Sequence, residues 1–336
     1  MTSTAAPPAR DSGGRASPSV LADLVTLTKP RIIALLLVTT VAPMFITPAG
    51  MPTLGLIGWV VLGGYLMAGG ANAINMWFDR DIDRIMTRTR ARPVPAGRIP
   101  AGAALLFGLT LGGVAFALLW TFVNPLSAWL ALAGLLFYVL VYTIGLKRWS
   151  PQNIVIGGAA GAFPPLVGWA SMTGTLDLAA LYLFAIIFYW TPPHFWALAL
   201  VKQGEYAKAN IPMMPLVRGA HHTKLQMLVY TILLILLTTL PTLSGTQGLF
   251  YLAVAFLLGG RLLWYCLRLL REDGTTSTAW KMYRYSLIYL AVLFVAMGVD
   301  RAIPFGHPEA APELLLLNPA ADAGVAHPAG VEHQHP

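Results

Sequence analysis

NMWFDRDID, residues 75–83, closes a long apolar run and leads into TRTRARPVPAGR at 87–98. At about 100° per residue, a helix carries positions four apart on one slowly drifting face. Asn75, Asp79 and Asp83 therefore share a face at the point where the run meets water. Two carboxylates and an amide form a hard-oxygen set suited to Mg²⁺, and the arginines that follow suit phosphate. The pattern predicts a membrane enzyme that handles a lipid diphosphate. A solvated helix end with paired acids is the plainer reading. It accounts for Asp81 but poorly for a ladder that begins while the helix is still apolar.

The 336 residues are 57% hydrophobic and only 11% charged, which places the chain among integral membrane proteins. A single cysteine, Cys266, excludes an intramolecular disulfide and any cysteine-cluster metal site. The net charge of +8 points to membrane lipid and not to nucleic acid as a partner, because the basic residues sit in short loops between apolar spans. Nine apolar segments are expected near 27–47, 54–77, 101–122, 126–144, 153–173, 176–200, 224–243, 247–268 and 281–303. Of the 22 Lys and Arg, all but Arg261 and Arg301 fall on one side of these spans. The loops TPAGMPT, VNPL, TGTLD and PTLSGTQG on the other side hold none. The charged side, with the N-terminus, is expected to be cytoplasmic, and the C-terminus periplasmic. Residues 1–21, rich in Ala, Pro, Ser and Gly, read as a disordered cytoplasmic tail, and 305–336 as a flexible periplasmic one. His307, His327, His333 and His335 lack regular ligand spacing.

The charged loops after the second and sixth spans both carry acids. A shift of four helices preserves sidedness, so spans 1–4 and 5–8 could be parallel repeats around a central pocket. His194 is the one histidine within a span, beside Pro192-Pro193 and among Trp190, Phe195 and Trp196. Intramembrane ionisable residues are functional candidates. The alternative is a buried imidazole bonded to a carbonyl that the prolines free. Gly157, Gly158 and Gly161 read as a close-packing face.

The NxxxDxxxD pattern with RTRARPVPAG resembles the signature of the UbiA superfamily of intramembrane prenyltransferases. LTKPRIIALLLVTT (27–40), LKRWSPQNIVIGGAAGAFPPLVGWA (146–170), WTPPHFWALA (190–199) and EYAKANIPMMP (205–215) are similar to its haem-farnesylating branch. The likeness covers roughly residues 22–304. It implies an all-α membrane domain of about nine helices in a bacterial inner membrane. It also implies farnesyl transfer from farnesyl diphosphate to a vinyl group of haem b, with addition of water. Mg²⁺ would be held by Asn75, Asp79, Asp83 and Glu205, the last standing where aspartate is commoner in the family. Arg88, Arg92, Lys147, Arg148, Lys202 and Tyr206 would bind diphosphate, although each basic residue could equally serve orientation alone. His194, Trp190 and Trp196 would bind haem. A haem A synthase is the implied downstream partner. Prenylation of a 4-hydroxybenzoate-like acceptor is the nearest rival reading. A secondary transporter is a remote one, since its acids should lie near the bilayer midplane.

Overall fold

The computed structural model describes residues 19–272 and 277–303, so most of both expected tails, including His307, His327, His333 and His335, falls outside the described residues. All regular structure among the described residues is helical. The first span is a bent pair, α1 (Val20–Thr28) and α2 (Pro30–Ile46), which meet at 45°. It starts before the expected residue 27, and its first two residues lie inside the segment read as tail. Eight further spans are long and apolar enough to cross a bilayer. They are α3 (Leu54–Phe78), α5 (Ala101–Phe122), α6 (Pro125–Leu136) continued by a π-helical run (Phe137–Leu146), and α7 (Asn153–Gly157) with α8 (Ala159–Thr173). The rest are α9 (Leu178–Val201), α12 (Ala220–Leu237) with α13 (Leu240–Leu243), α14 (Leu249–Arg271) and α15 (Ser277–Ala302). Three short helices decorate the charged end: α4 (Arg80–Ile85), α10 (Gln203–Lys208) and α11 (Met214–Val217).

Each span packs on the next in chain order, and α15 returns to α2, so the spans close into a ring. Lipid offers no hydrophobic drive between helices, so contact depends on close backbone approach. A Cβ on Gly70 of α3 would stand 2.6 Å from the Gly108 carbonyl oxygen of α5, and one on Gly168 of α8 would stand 1.8 Å from that of Thr40 in α2. Gly157 and Gly158 serve the expected packing role against Tyr142 and Thr191, whereas Gly161 faces open space.

The uncharged end is ordered by helix caps. Thr53, Asn124 and Asp177 accept backbone N–H bonds at the starts of α3, α6 and α9, each a device worth about 1 kcal/mol. At α14 the N-cap is Gly248, which has no side chain to offer. Asp300, 2% exposed and near the end of α15, accepts from Gly248 N and Tyr251 N instead. The sequence reading passed over this buried acid because its partner is a remote helix. Arg261, the basic residue inside the eighth span, lies on the outer surface over the Trp264 and Tyr265 rings, at 4.5 and 5.1 Å.

Candidate active site

Helix α3 ends at Phe78, yet Asp79 N bonds Asn75 O and Asp83 N bonds Asp79 O, so the helical spacing carries through the junction into α4. The predicted shared face is therefore kept. Asn75, Asp79 and Asp83 are all buried, at 3%, 1% and 3% exposure, while Arg80 and Asp81 between them face out.

Asn75 is a hub. Its Nδ2 donates to Asp79 Oδ2 at 2.7 Å and to Thr143 Oγ1 at 3.1 Å, and its Oδ1 accepts from Lys29 Nζ at 2.8 Å. Lys147 also donates to Asp79 Oδ2. Arg92 Nη1 donates to Asp83 Oδ2 at 2.7 Å. The plainer sequence reading was thus partly right, because both buried acids are ion-paired. Their partners Lys147 and Arg92 are, however, themselves expected diphosphate ligands. Arg148 divides differently. It grips the exposed Asp81 at 2.6 and 2.7 Å and reaches Asp79 Oδ1 only at 3.7 Å. These two bonds hold the Asp81 carboxyl below the ordinary carboxylate range.

The π-helical run explains how Lys147 and Thr143 reach the ladder. Lys147 N bonds Tyr142 O, and Thr143 Oγ1 donates to Tyr138 O at 2.8 Å. Both bonds span five residues. Such widened turns rotate side chains off the regular register and recur at functional sites. No sequence signal announced this segment.

At the charged end of the sixth span, α9 ends at Val201 and α10 begins at Gln203. Lys202 Nζ donates to Glu205 Oε1 at 3.0 Å, and burial of Tyr206 pushes its phenol up. A cavity of about 450 Å³, counting its open mouth, is bounded by Met86 and Arg88 from the loop after α4. Leu198, Lys202, Glu205 and Tyr206 face them from the end of the sixth span. The loop after the ladder and the end of the sixth span thus border one cavity, although Asn75, Asp79 and Asp83 themselves are not among its lining residues. Trp280 and Tyr283 of α15 complete the wall. Neither was singled out in the sequence, since nothing in the last span marks its face. Arg88 is exposed and makes no ion pair among the described residues.

The residues expected to bind haem are arranged differently from expectation. His194, Trp190 and Trp196 are 5%, 6% and 1% exposed and do not line the cavity. Trp196 points to the other side of α9, edge-on to Tyr230 at 5.6 Å. His194 Nδ1 meets Ser286 Oγ at 2.7 Å, a hydroxyl of α15 and not a carbonyl freed by Pro192 or Pro193.

Among the described residues no three acidic, His or Cys side chains converge into a ready metal cage. The donor set nonetheless fits Mg²⁺. Asp79 Oδ1 and Glu205 Oε2 are buried carboxylate oxygens without a hydrogen-bond partner. Unsatisfied hard oxygens of this kind suit a divalent cation. Asn75 fits less directly, because Lys29 occupies its amide oxygen.

Known proteins bear on this geometry. The model of the UbiA prenyltransferase family matches residues 35–291. A protoheme IX farnesyltransferase of Roseiflexus sp. (strain RS-1) is 57% identical over 85% of this chain and 53% of its own length. The chain thus spans about half the length of that relative. One from Symbiobacterium thermophilum is 52% identical over 84% of this chain and 95% of its own length. Among solved structures, a digeranylgeranylglyceryl phosphate synthase shares the fold with a TM-score of 0.70 at 19% identity, over 84% of this chain and 98% of that one. A UbiA homolog from Archaeoglobus fulgidus bound to GPP and Mg²⁺ follows at 0.61 and 16%, over 84% and 100%. With the family model covering most of the helical ring, the chain belongs to the UbiA prenyltransferase family.

Proposed function

We propose that the chain transfers a farnesyl group from farnesyl diphosphate to a vinyl group of haem b, with addition of water, to give haem O and diphosphate. The observation that carries this reading is one cavity on the charged face of the bundle, bordered by Arg88 from the loop after the acid ladder and by Lys202 and Glu205 from the end of the sixth span. The near-full-length relative named protoheme IX farnesyltransferase supports the choice of substrates.

Asp79 and Asp83, faced by Glu205, would hold Mg²⁺, with Asn75 as the orienting amide. When bound, the ion supplies charge neutralisation to the departing diphosphate. The chain's own contribution is a set of N–H donors. Lys29 is bonded to a neutral amide, and Arg88 makes no ion pair among the described residues, so neither donor is committed to a carboxylate and both are available to phosphate oxygens. Lys147, Arg92 and Lys202 add donors from around the acids, Arg148 stands behind Asp79, and Tyr206 adds a phenol. As the farnesyl C1–O bond breaks, its electron pair leaves with the diphosphate, and these donors take up the growing charge. The vinyl π pair then forms a bond to C1, leaving a cation beside the pyrrole ring. A water oxygen bonds that carbon and releases one proton to solvent. The first cation must be kept from water until the vinyl group has reacted.

We place the enzyme in a bacterial inner membrane with the cavity and N-terminus on the cytoplasmic side, following the Lys/Arg bias. A haem A synthase would consume its product. The test is a purified-protein assay with farnesyl diphosphate and either haem b or 4-hydroxybenzoate. A haem product heavier by one farnesyl and one hydroxyl group is expected. Prenylation of the benzoate alone would overturn the proposal.

A further inference from the structure

Four rings from α9 and α15 stand in one stack. Trp190 and His194 have centroids 4.3 Å apart with planes 18° apart, His194 and Tyr283 4.7 Å and 26°, and Tyr283 and Trp280 5.3 Å and 22°. The inner end is pinned by one residue. Trp190 Nε1 donates to Ser286 O at 2.8 Å, and His194 Nδ1 lies 2.7 Å from Ser286 Oγ. The Ser286 hydroxyl donates its single proton to Tyr283 O at 2.8 Å. Its oxygen is then the acceptor for His194 Nδ1–H, which fixes the imidazole tautomer and the ring plane.

The outer end is open. Trp280 is 42% exposed and Tyr283 half-buried, and both border the cavity that Arg88, Lys202 and Glu205 share. A tryptophan near a helix start at the membrane surface is ordinarily an interfacial anchor. An anchor has no use for three rings and a serine aligned behind it. A column of near-parallel, rotamer-locked rings is instead a preformed flat surface that loses little entropy when a planar ligand stacks on it. A flexible polyprenyl chain gains nothing from such flatness. A conjugated acceptor does, and on this wall it would share the cavity with the cations proposed to hold the diphosphate.

We propose that Trp280 and Tyr283 form the acceptor wall, on which the face of the tetrapyrrole stacks, and that His194, Trp190 and Ser286 brace it from behind. The inference rests on the haem reading given under Proposed function. It moves His194 from a ligand of the iron to a support of the wall, because the imidazole is buried behind Tyr283 and does not line the cavity.

The experiment is a haem b titration of the full chain in nanodiscs, read at the Soret band, beside farnesyl diphosphate binding. Trp280→Ala should weaken haem affinity about tenfold, as loss of one stacking partner does, and leave farnesyl diphosphate affinity within about twofold. Trp280→Phe should recover most of the affinity. Trp129→Ala, which removes an exposed tryptophan remote from the cavity, should change neither titration. Intact farnesyl diphosphate binding shows that each variant has folded. Unchanged haem affinity in Trp280→Ala, with the wild type binding haem, would overturn the wall alone. Failure of the wild type to bind haem would overturn the function reading and the wall together.

Discussion

Lys29 Nζ and Asn75 Oδ1 lie 2.8 Å apart, so the break in the first span is tied to the end of the second. Lys29 sits at the kink with φ 56°, a left-handed conformation that costs a non-glycine residue about 1–2 kcal/mol. Strain of this kind persists where surrounding structure and function hold it in place.

Lys29→Gly separates the two roles of that residue. Glycine adopts φ 56° without strain, so thermal stability in detergent should be retained or raised by about 1 kcal/mol. The ammonium is lost, so farnesyl diphosphate should bind about tenfold more weakly, as expected for removal of one charge-assisted bond. Unaltered substrate affinity would make Lys29 a structural hinge only.

The acid ladder makes a sharper prediction. Asp79→Asn or Asp83→Asn keeps the shape of each buried side chain but removes the charge proposed to hold Mg²⁺. Turnover should fall by about 10³-fold or more, since several kcal/mol of charge stabilisation is withdrawn. Haem binding should survive, because neither residue borders Trp280. Near-normal turnover of Asp83→Asn at saturating Mg²⁺ would remove it from the ion site.

Glu205 stands across the cavity with Oε2 buried and unpartnered. Glu205→Gln should weaken Mg²⁺-dependent farnesyl diphosphate binding, whereas Glu205→Asp should keep most of the activity. Equal behaviour of the two variants in an equilibrium binding assay would make the carboxylate charge irrelevant.

The helical spans and the ladder were legible because both rest on short-range periodicity. Apolar runs placed every span but the first to within about four residues, the first starting at Val20 and not at 27, and a four-residue spacing gave the common face of Asn75, Asp79 and Asp83. Contacts between distant segments were not legible. Pro30 marks the kink locally, but that Lys29 there meets Asn75 depends on another span, and the π-helical run that turns Lys147 and Thr143 inward has an ordinary apolar composition. His194 was rightly marked as unusual, but its partner Ser286 lies on another span. That contact places the imidazole behind Tyr283, away from the cavity surface. Asp300 was missed for the same reason, as its role depends on the start of α14.

Sidedness can be read with two cysteines. Cys266 is buried, and Cys266→Ser gives a clean background. Arg90→Cys in the loop after α4 and Met51→Cys in the loop before α3 both occupy exposed positions. An impermeant thiol reagent applied to right-side-out vesicles should label position 51 and spare position 90 until the membrane is opened. Labelling of both from the outside would refute the proposed orientation of the charged loops.

The last prediction concerns the acid that the ladder leaves outside. Asp81 has a 59% exposed side chain, and Arg148 holds its carboxyl below the ordinary range. A group whose folded pKa is depressed contributes stability that is complete above its unfolded pKa and is lost as pH falls through the folded value. The pair should therefore stabilise the protein evenly from neutral pH down to about pH 5 and fade only in stronger acid. Solvent and salt screen so exposed a pair, so Asp81→Asn should cost no more than about 1 kcal/mol at pH 7. Melting curves of wild type and variant should converge in stronger acid. Turnover of Asp81→Asn should stay within a few-fold of wild type, in contrast to its two buried neighbours. A collapse of turnover as deep as that of Asp79→Asn would show that the outward-facing acid also works on the substrate, and the division between the two faces would fail.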